Sequence, residues 1–271
     1  MIMMDDRFTK PLRTADVNLI TFVSMGKYAH DTIVPDQESK LSKKEQVAVM
    51  FDQIAPKYDF FNRFLSAGID VSWRKKALAL VKRDNPKVML DVATGTADVA
   101  IMAAKLVGPN KIIGIDISAG MLEVGKKKVQ QAGLEEKIEL QVGDSESIHF
   151  PDNHFDAVTV SFGVRNFQSL ENGLSEILRV LKPGARLVVL EFSRPSLPGV
   201  QQAYNLYMSI VAPQMVSIFS KNRKAYQYLN DSVQKFPEGK DFTAVMDRCG
   251  FMETSCKRLS LGICSIYTGI K

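Results

Sequence analysis

The stretch KVMLDVATGTADVAIMAAKL (residues 87–106) reads as strand, loop and helix in immediate succession. An apolar run, KVML, precedes the loop, and a helix-like run, VAIMAAKL, follows it. The loop resembles half of a nucleotide-binding turn. It lacks the full G-x-G-x-x-G, because Ala93 and Ala97 stand near where further glycines would be. A dinucleotide loop needs those glycines so that a pyrophosphate can approach the backbone and the helix terminus. This loop has fewer of them and begins with a carboxylate, Asp91, which suits a cationic or zwitterionic ligand better than a phosphate.

On either side of that stretch the pattern repeats. KIIGID (111–116), KIELQVGD (137–144), FDAVTVSFG (155–163) and ARLVVLEF (185–192) read as strands. AGMLEVGKKKVQQAG and LENGLSEILRVLKPG read as the intervening helices, the latter stopping at Pro183-Gly184. Strand and helix in alternation imply a parallel sheet with right-handed crossovers. TSCKRLSLGICSIYTGIK then supplies the last two strands as a hairpin through Leu261-Gly262. In such sheets ligands sit at the carboxyl ends of the strands, and there the polar residues collect. Asp91, Thr94, Gly95 and Thr96 follow the first strand, Asp116 closes the second, Asp144 and Ser145 follow the third, and Ser161, Arg165 and Asn166 follow the fourth. An acid such as Asp116, about 20 residues beyond the glycine loop, can accept two hydrogen bonds from a ribose diol. With so little room for phosphate, S-adenosyl-L-methionine is the expected ligand: it offers a nucleoside, a sulfonium and an ammonium. A nicotinamide or flavin enzyme is the alternative at this point.

Bulk properties limit the partners. The chain has 271 residues, 45% hydrophobic and 24% charged, with a formal net charge of +5, as expected of a globular protein. That charge is too modest to argue for nucleic acid. Cys249, Cys256 and Cys264 fit reduced thiols in a cytoplasm-like compartment, and no metal-ligand spacing joins them to His30, His149 or His154. Residues 1–41 are expected to be a mobile tail, with 1–24 dispensable and Met25 a candidate initiation site. Residues 42–271 are expected to form one domain. Its helical cover (42–83) starts at the Ser42/Glu45 capping box and is ended or bent by Pro56. A helical insert (199–237) is read as covering the site, with Lys221, Arg223 and Lys224 able to rest on anionic headgroups. The lysine run 126–128 is read as a solvated helix face.

Longer segments carry a resemblance. YDFFNRFLSAGIDVSW (58–73), RVLKPGARLVVLEFS (179–193), FPDNHFDAVTVSFGVRN and YQYLNDSVQKFP are similar to segments of the ubiquinone/menaquinone biosynthesis C-methyltransferases, the UbiE/MenG family. The resemblance runs from about Val47 to the C-terminus. Phe61 stands where the family usually has Met, Asp70 where it often has His, and Ala185 where Gly is usual. The resemblance implies a class I S-adenosylmethionine-dependent methyltransferase of Rossmann-like α/β fold, with a seven-stranded, mostly parallel sheet and helices on both faces. It also implies methylation of a ring carbon of a prenylated quinol, a demethylmenaquinol or a 2-methoxy-6-polyprenyl-benzoquinol. Another hydrophobic small-molecule substrate, or a scaffold that binds cofactor without catalysis, is the alternative.

An aromatic carbon becomes a good nucleophile when a ring hydroxyl loses its proton. With a phenol pKa of about 10, ionisation at pH 7 costs roughly 4 kcal/mol. Arg165 is therefore expected to stabilise the phenolate or orient a water, Asn166 to fix that water or a quinol oxygen, and Tyr58 to close the site and donate a hydrogen bond. The cofactor is expected on Asp91, Gly95, Thr96, Asp116, Asp144, Ser145 and Ser161. The structural alternatives are a helix cap for Asp91 and Asp116, packing for Ser161 and Tyr58, and an ion pair for Arg165. Peripheral contact with a membrane and pairing as a homodimer are left open.

Overall fold

A computed structural model describes residues 28–207 and 223–271. Seven strands form one sheet: β1 (Val88–Val92), β2 (Lys111–Asp116), β3 (Ile138–Val142), β4 (Phe155–Ser161), β5 (Leu181–Phe192), β6 (Met252–Leu259) and β7 (Cys264–Ile270). Their order is β3-β2-β1-β4-β5-β7-β6. β1 to β5 run parallel, and β7 lies antiparallel between β5 and β6. The strand order reverses between β1 and β4, so a crevice opens at their carboxyl ends. β5 begins earlier than the sequence pattern suggests, because Leu181 already pairs with Phe155 and the ladder absorbs Pro183-Gly184 through an irregularity.

Side-chain alternation buries both faces of the sheet. Leu90 and Val92 point into one core with Phe155, Val158 and Ile177 of α5 (Leu170–Val180), joined by Phe242 of the helix Lys240–Arg248. Met89 points into the other, with Ala100 of α3 (Asp98–Leu106), Val129 of α4 (Ala119–Gln131) and Leu78 of α2 (Ile69–Arg83).

The cover is a third, smaller cluster. α1 (Lys43–Leu65) packs Val47, Met50, Ile54 and Ala55 against Met121 of α4. Ala225 and Tyr228 join them from the insert, whose described residues include α6 (Val200–Leu206) and α7 (Arg223–Lys235) and which is followed by α8 (Lys240–Arg248). Ser42 caps α1 as the capping box predicts. Pro56 does not end the helix, which continues to Leu65, since tertiary packing of the buried stripe outweighs the one backbone bond proline forfeits. The turn to α2 falls at Ala67 and Gly68, both left-handed, at φ 49° and 76°.

The expected tail is shorter than residue 41. His30 is fully buried against Phe236, Lys43 Nζ donates to the His30 carbonyl at 2.9 Å, and Tyr28 donates to Glu171 at 2.6 Å. Residues 28–41 therefore form a strap across α1, α5 and α7. Residues 1–27, with the dispensable stretch and Met25, lie outside the described residues, as do Lys221 and the Arg223 side chain. Lys224 pairs with Asp36 of the strap at 3.2 Å.

Candidate active site

The loop after β1 is built from three left-handed residues in alternation: Ala93 (φ 53°), Gly95 (φ 57°) and Ala97 (φ 63°). The two alanines thus occupy conformations that glycine adopts at no cost, at about 1–2 kcal/mol each. The loop is held from below. Asp91 accepts hydrogen bonds from Thr94 Oγ1 and Thr159 Oγ1, both at 2.6 Å, and Thr94 N donates to the Ile115 carbonyl at 3.0 Å. Burial pushes the Asp91 carboxyl up to about 6, with the two hydroxyls pulling it back. Asp91 is 2% exposed and is not among the residues lining the cleft, so it shapes the loop from beneath.

Asp116 closes β2 and does line the cleft. Its two oxygens accept from Gly95 N and Ser118 N, each at 2.8 Å, which fixes the carboxylate beside the glycine loop. Burial raises it to about 6 against those two backbone bonds. Gly95, Asp144, Ser145 and Ser161 line the same cleft, which encloses about 640 Å³ of empty space partly open to solvent. Thr96 does not: its hydroxyl donates to Asp59 of α1 at 2.6 Å.

That contact belongs to an ion network that sequence reasoning missed. Lys128 of α4 binds Asp59 at 2.6 Å and Asp98 at 2.5 Å, so it is no solvated lysine. Arg63 and Arg74 also reach Asp98 and both pair with Asp70. The unusual acid at position 70 is thereby buried between two guanidiniums. Nearby, Asp52 of α1 accepts from Ser118 Oγ at 2.6 Å and Gly120 N at 2.8 Å, capping α4 from another helix. At the mouth, Lys44 of α1 pairs with Asp144 and lies 3.8 Å from Glu146. Apart from the local Asp70–Arg74 and Arg63–Asp70 pairs, these partners lie far apart in the chain, so a sequence scan does not tie them together.

The quinol-side residues divide. Tyr58 and Asn166 line the cleft, beside Phe51, Phe162 and Phe167. Burial raises the Tyr58 hydroxyl, while Asn62 and the nearby Arg165 and Arg74 charges oppose it. Arg165 is not part of the cleft wall. It is 3% exposed, and its Nη1 donates to Glu191 at 2.6 Å and to the Phe162 carbonyl at 2.7 Å. The ion-pair alternative therefore describes its contacts, and its charge acts on the cleft from one layer behind.

This donor set fits S-adenosylmethionine. Among the described residues, Asp116, Asp144 and Glu146 face a single lysine in the cleft, a balance that favours a ligand of net positive charge and disfavours phosphate. Gly95, Asp116, Asp144 and Ser145 are lining residues that could hold it.

The ubiE/COQ5 methyltransferase family matches residues 39–271. The chain belongs to that family. It is 47% identical over 229 residues to a demethylmenaquinone methyltransferase of Bacteroides fragilis, covering 84% of this chain and 94% of the relative. It is 46% identical over 234 residues to a ubiquinone/menaquinone biosynthesis C-methyltransferase UbiE of Geotalea daltonii, covering 86% and 99%. Among solved structures, a SAM-dependent methyltransferase from Thermotoga maritima superposes with a TM-score of 0.57 at 18% identity, covering 83% of this chain and 99% of that one. Haemonchus contortus phosphoethanolamine N-methyltransferase 2 with S-adenosyl-L-methionine gives 0.53 at 16%, covering 82% and 60%. These two establish the class I methyltransferase fold. The chain is a methyltransferase, and S-adenosylmethionine is its methyl donor.

Proposed function

We propose that this chain methylates a ring carbon of demethylmenaquinol, giving menaquinol. It is an S-adenosylmethionine-dependent C-methyltransferase of quinone biosynthesis, and the naphthoquinol is favoured by the name its Bacteroides fragilis relative carries. One observation carries the reading: Tyr58 and Asn166 share a cleft with Gly95 and Asp116, so polar groups for a quinol face those for a nucleoside.

The bound cofactor supplies an electrophilic methyl group. The protein aligns the ring carbon behind it and eases loss of the quinol proton. Phe51, Phe162 and Phe167 give the ring an apolar wall and exclude water. Tyr58 and Asn166 can donate to a quinol oxygen, and the buried Arg165 charge favours its ionised form across a low-dielectric layer. As the methyl group passes from sulfur to the ring carbon, that carbon's own hydrogen is lost as a proton to restore the aromatic ring and the quinol oxygen is reprotonated, so one net proton leaves to solvent at the cleft mouth.

Peripheral membrane contact is part of this proposal, because a prenylated quinol resides in lipid. Phe60 and Phe64 support it: their rings stack with centroids 5.7 Å apart on α1, and they are 53% and 41% exposed. No helix among the described residues is long and apolar enough to cross a membrane.

The test is methyl transfer from labelled S-adenosylmethionine, followed by mass spectrometry, with demethylmenaquinol and with 2-methoxy-6-polyprenyl-benzoquinol. Faster turnover of the naphthoquinol is expected. Transfer to the benzoquinol alone would overturn the substrate assignment.

A further inference from the structure

The insert contributes a side chain to the chemistry of the cleft. Tyr228 lies on α7, and its hydroxyl donates to Asn166 Oδ1 at 3.0 Å across 62 residues of sequence. Tyr228 is 2% exposed, and the bond it makes is partly buried. Asn166 sits at the end of the short 3-10 turn Val164–Asn166 after β4 and lines the cleft. Its amide nitrogen is 3.5 Å from the Phe162 carbonyl, a weak contact, and that carbonyl already accepts from Arg165 at 2.7 Å.

A carboxamide has a donor end and an acceptor end, and a rotation of half a turn exchanges them. Here the acceptor end is taken by a buried phenol. Burial raises the Tyr228 phenol well above its ordinary range, so it stays protonated and remains a donor at every working pH. The donor end of Asn166 is left as what the residue offers to a ligand. A donor is what the reaction requires at a quinol oxygen that gains negative charge; an acceptor there would oppose ionisation.

We propose that Tyr228 is a positioning residue that locks the Asn166 carboxamide with its N–H groups toward the quinol oxygen that loses its proton. The inference rests on the quinol reading above. The insert thereby does more than cover the site. Docking α7 against α1 and the 3-10 turn sets the orientation of that amide, so the cleft works at full rate when the cover is seated.

The experiment uses the full chain with S-adenosylmethionine and demethylmenaquinol. Native turnover comes first, since its absence would fail the substrate reading and not this one. Tyr228→Phe keeps the ring and removes the hydroxyl. Its kcat should fall by about tenfold, the worth of one hydrogen bond, with KM for the quinol and calorimetric affinity for S-adenosylmethionine within about twofold of native. The acid limb of its kcat–pH profile should move upward, with activity recovering at high pH as the quinol ionises unaided. Asn166→Ala and the double variant should be equally slow, because the tyrosine acts only through the amide. Asn166→Asp supplies an independent arm: it still accepts from Tyr228 but cannot donate, so it should be as slow as Asn166→Ala. Additive losses in the double variant, an unmoved acid limb, or native activity in Asn166→Asp would each overturn the proposal.

Discussion

The floor and the cover of the cleft are held by different kinds of bond. The floor is the set of loops after β1 to β4. Asp91, Thr94, Thr159, Gly95 and Asp116 bond one another on neighbouring strands whose side chains are buried in the sheet. The cover is α1 and the insert, and it meets the floor through a small apolar cluster around Met121 and through side-chain pairs: Asp52 to Ser118, Asp59 to Thr96, Lys44 to Asp144 and Tyr228 to Asn166. The floor is thus preformed with the fold, while the cover can lift without breaking a strand ladder.

The largest effect is expected in the floor. Asp116→Ala should weaken S-adenosylmethionine binding by about 1.5–3 kcal/mol, as for hydrogen bonds to a charged group, measured in the folded variant. Unchanged calorimetric affinity would break the comparison, because the floor would then not be where the cofactor is held.

Next is the contact between the two regions at the start of α4. Asp52→Ala removes two acceptor bonds that tie α1 to the start of α4. It should cost about 1–2 kcal/mol, and proteolysis should cut α1 before the sheet. Simultaneous loss of both regions would show that cover and floor unfold together.

Acid titration separates two carboxyls that burial raises to about 6. For an acid raised in the folded state, ionisation costs stability, so this contribution is favourable at low pH and is lost as pH rises through about 6. Asp91→Asn should therefore gain stability relative to the native chain as pH rises from about 4 to about 6, and keep that gain above it. Asp116 adds the opposite dependence to binding: its ionised form is the better acceptor for the ribose, so cofactor affinity should decline as pH falls through about 6. A calorimetric titration that stays flat over this range would remove Asp116 as the ribose acceptor.

The smallest effect is at the mouth. The Lys44–Asp144 pair is about one-third exposed on each side, so Lys44→Gln should change cofactor binding by only about 0.2–1 kcal/mol. Its mark should be a faster release rate and a loss of the salt dependence of that rate in stopped-flow measurements.

What the sequence by itself determined is the floor. Alternation of two, helical spacing of 3.6 and polar residues at four successive strand ends are local patterns, and they pointed to Gly95, Asp116, Asp144, Ser145 and Ser161, which line one cleft. Asn166 and Tyr58 were also legible there, through the SFGVRN and YDFFN segments. The tertiary structure alone decided which polar residues look into the cleft and which look away. Asp91, Thr96 and Arg165 follow the same strands as the lining residues, yet they are claimed by Thr159, Asp59 and Glu191. Each of those partners comes from another strand or from the cover. A one-dimensional pattern records that a residue is polar at a strand end, but the desolvation cost of a buried charge is met by whichever opposite charge or donor the fold brings within about 3 Å, and that proximity exists only after the chain has packed.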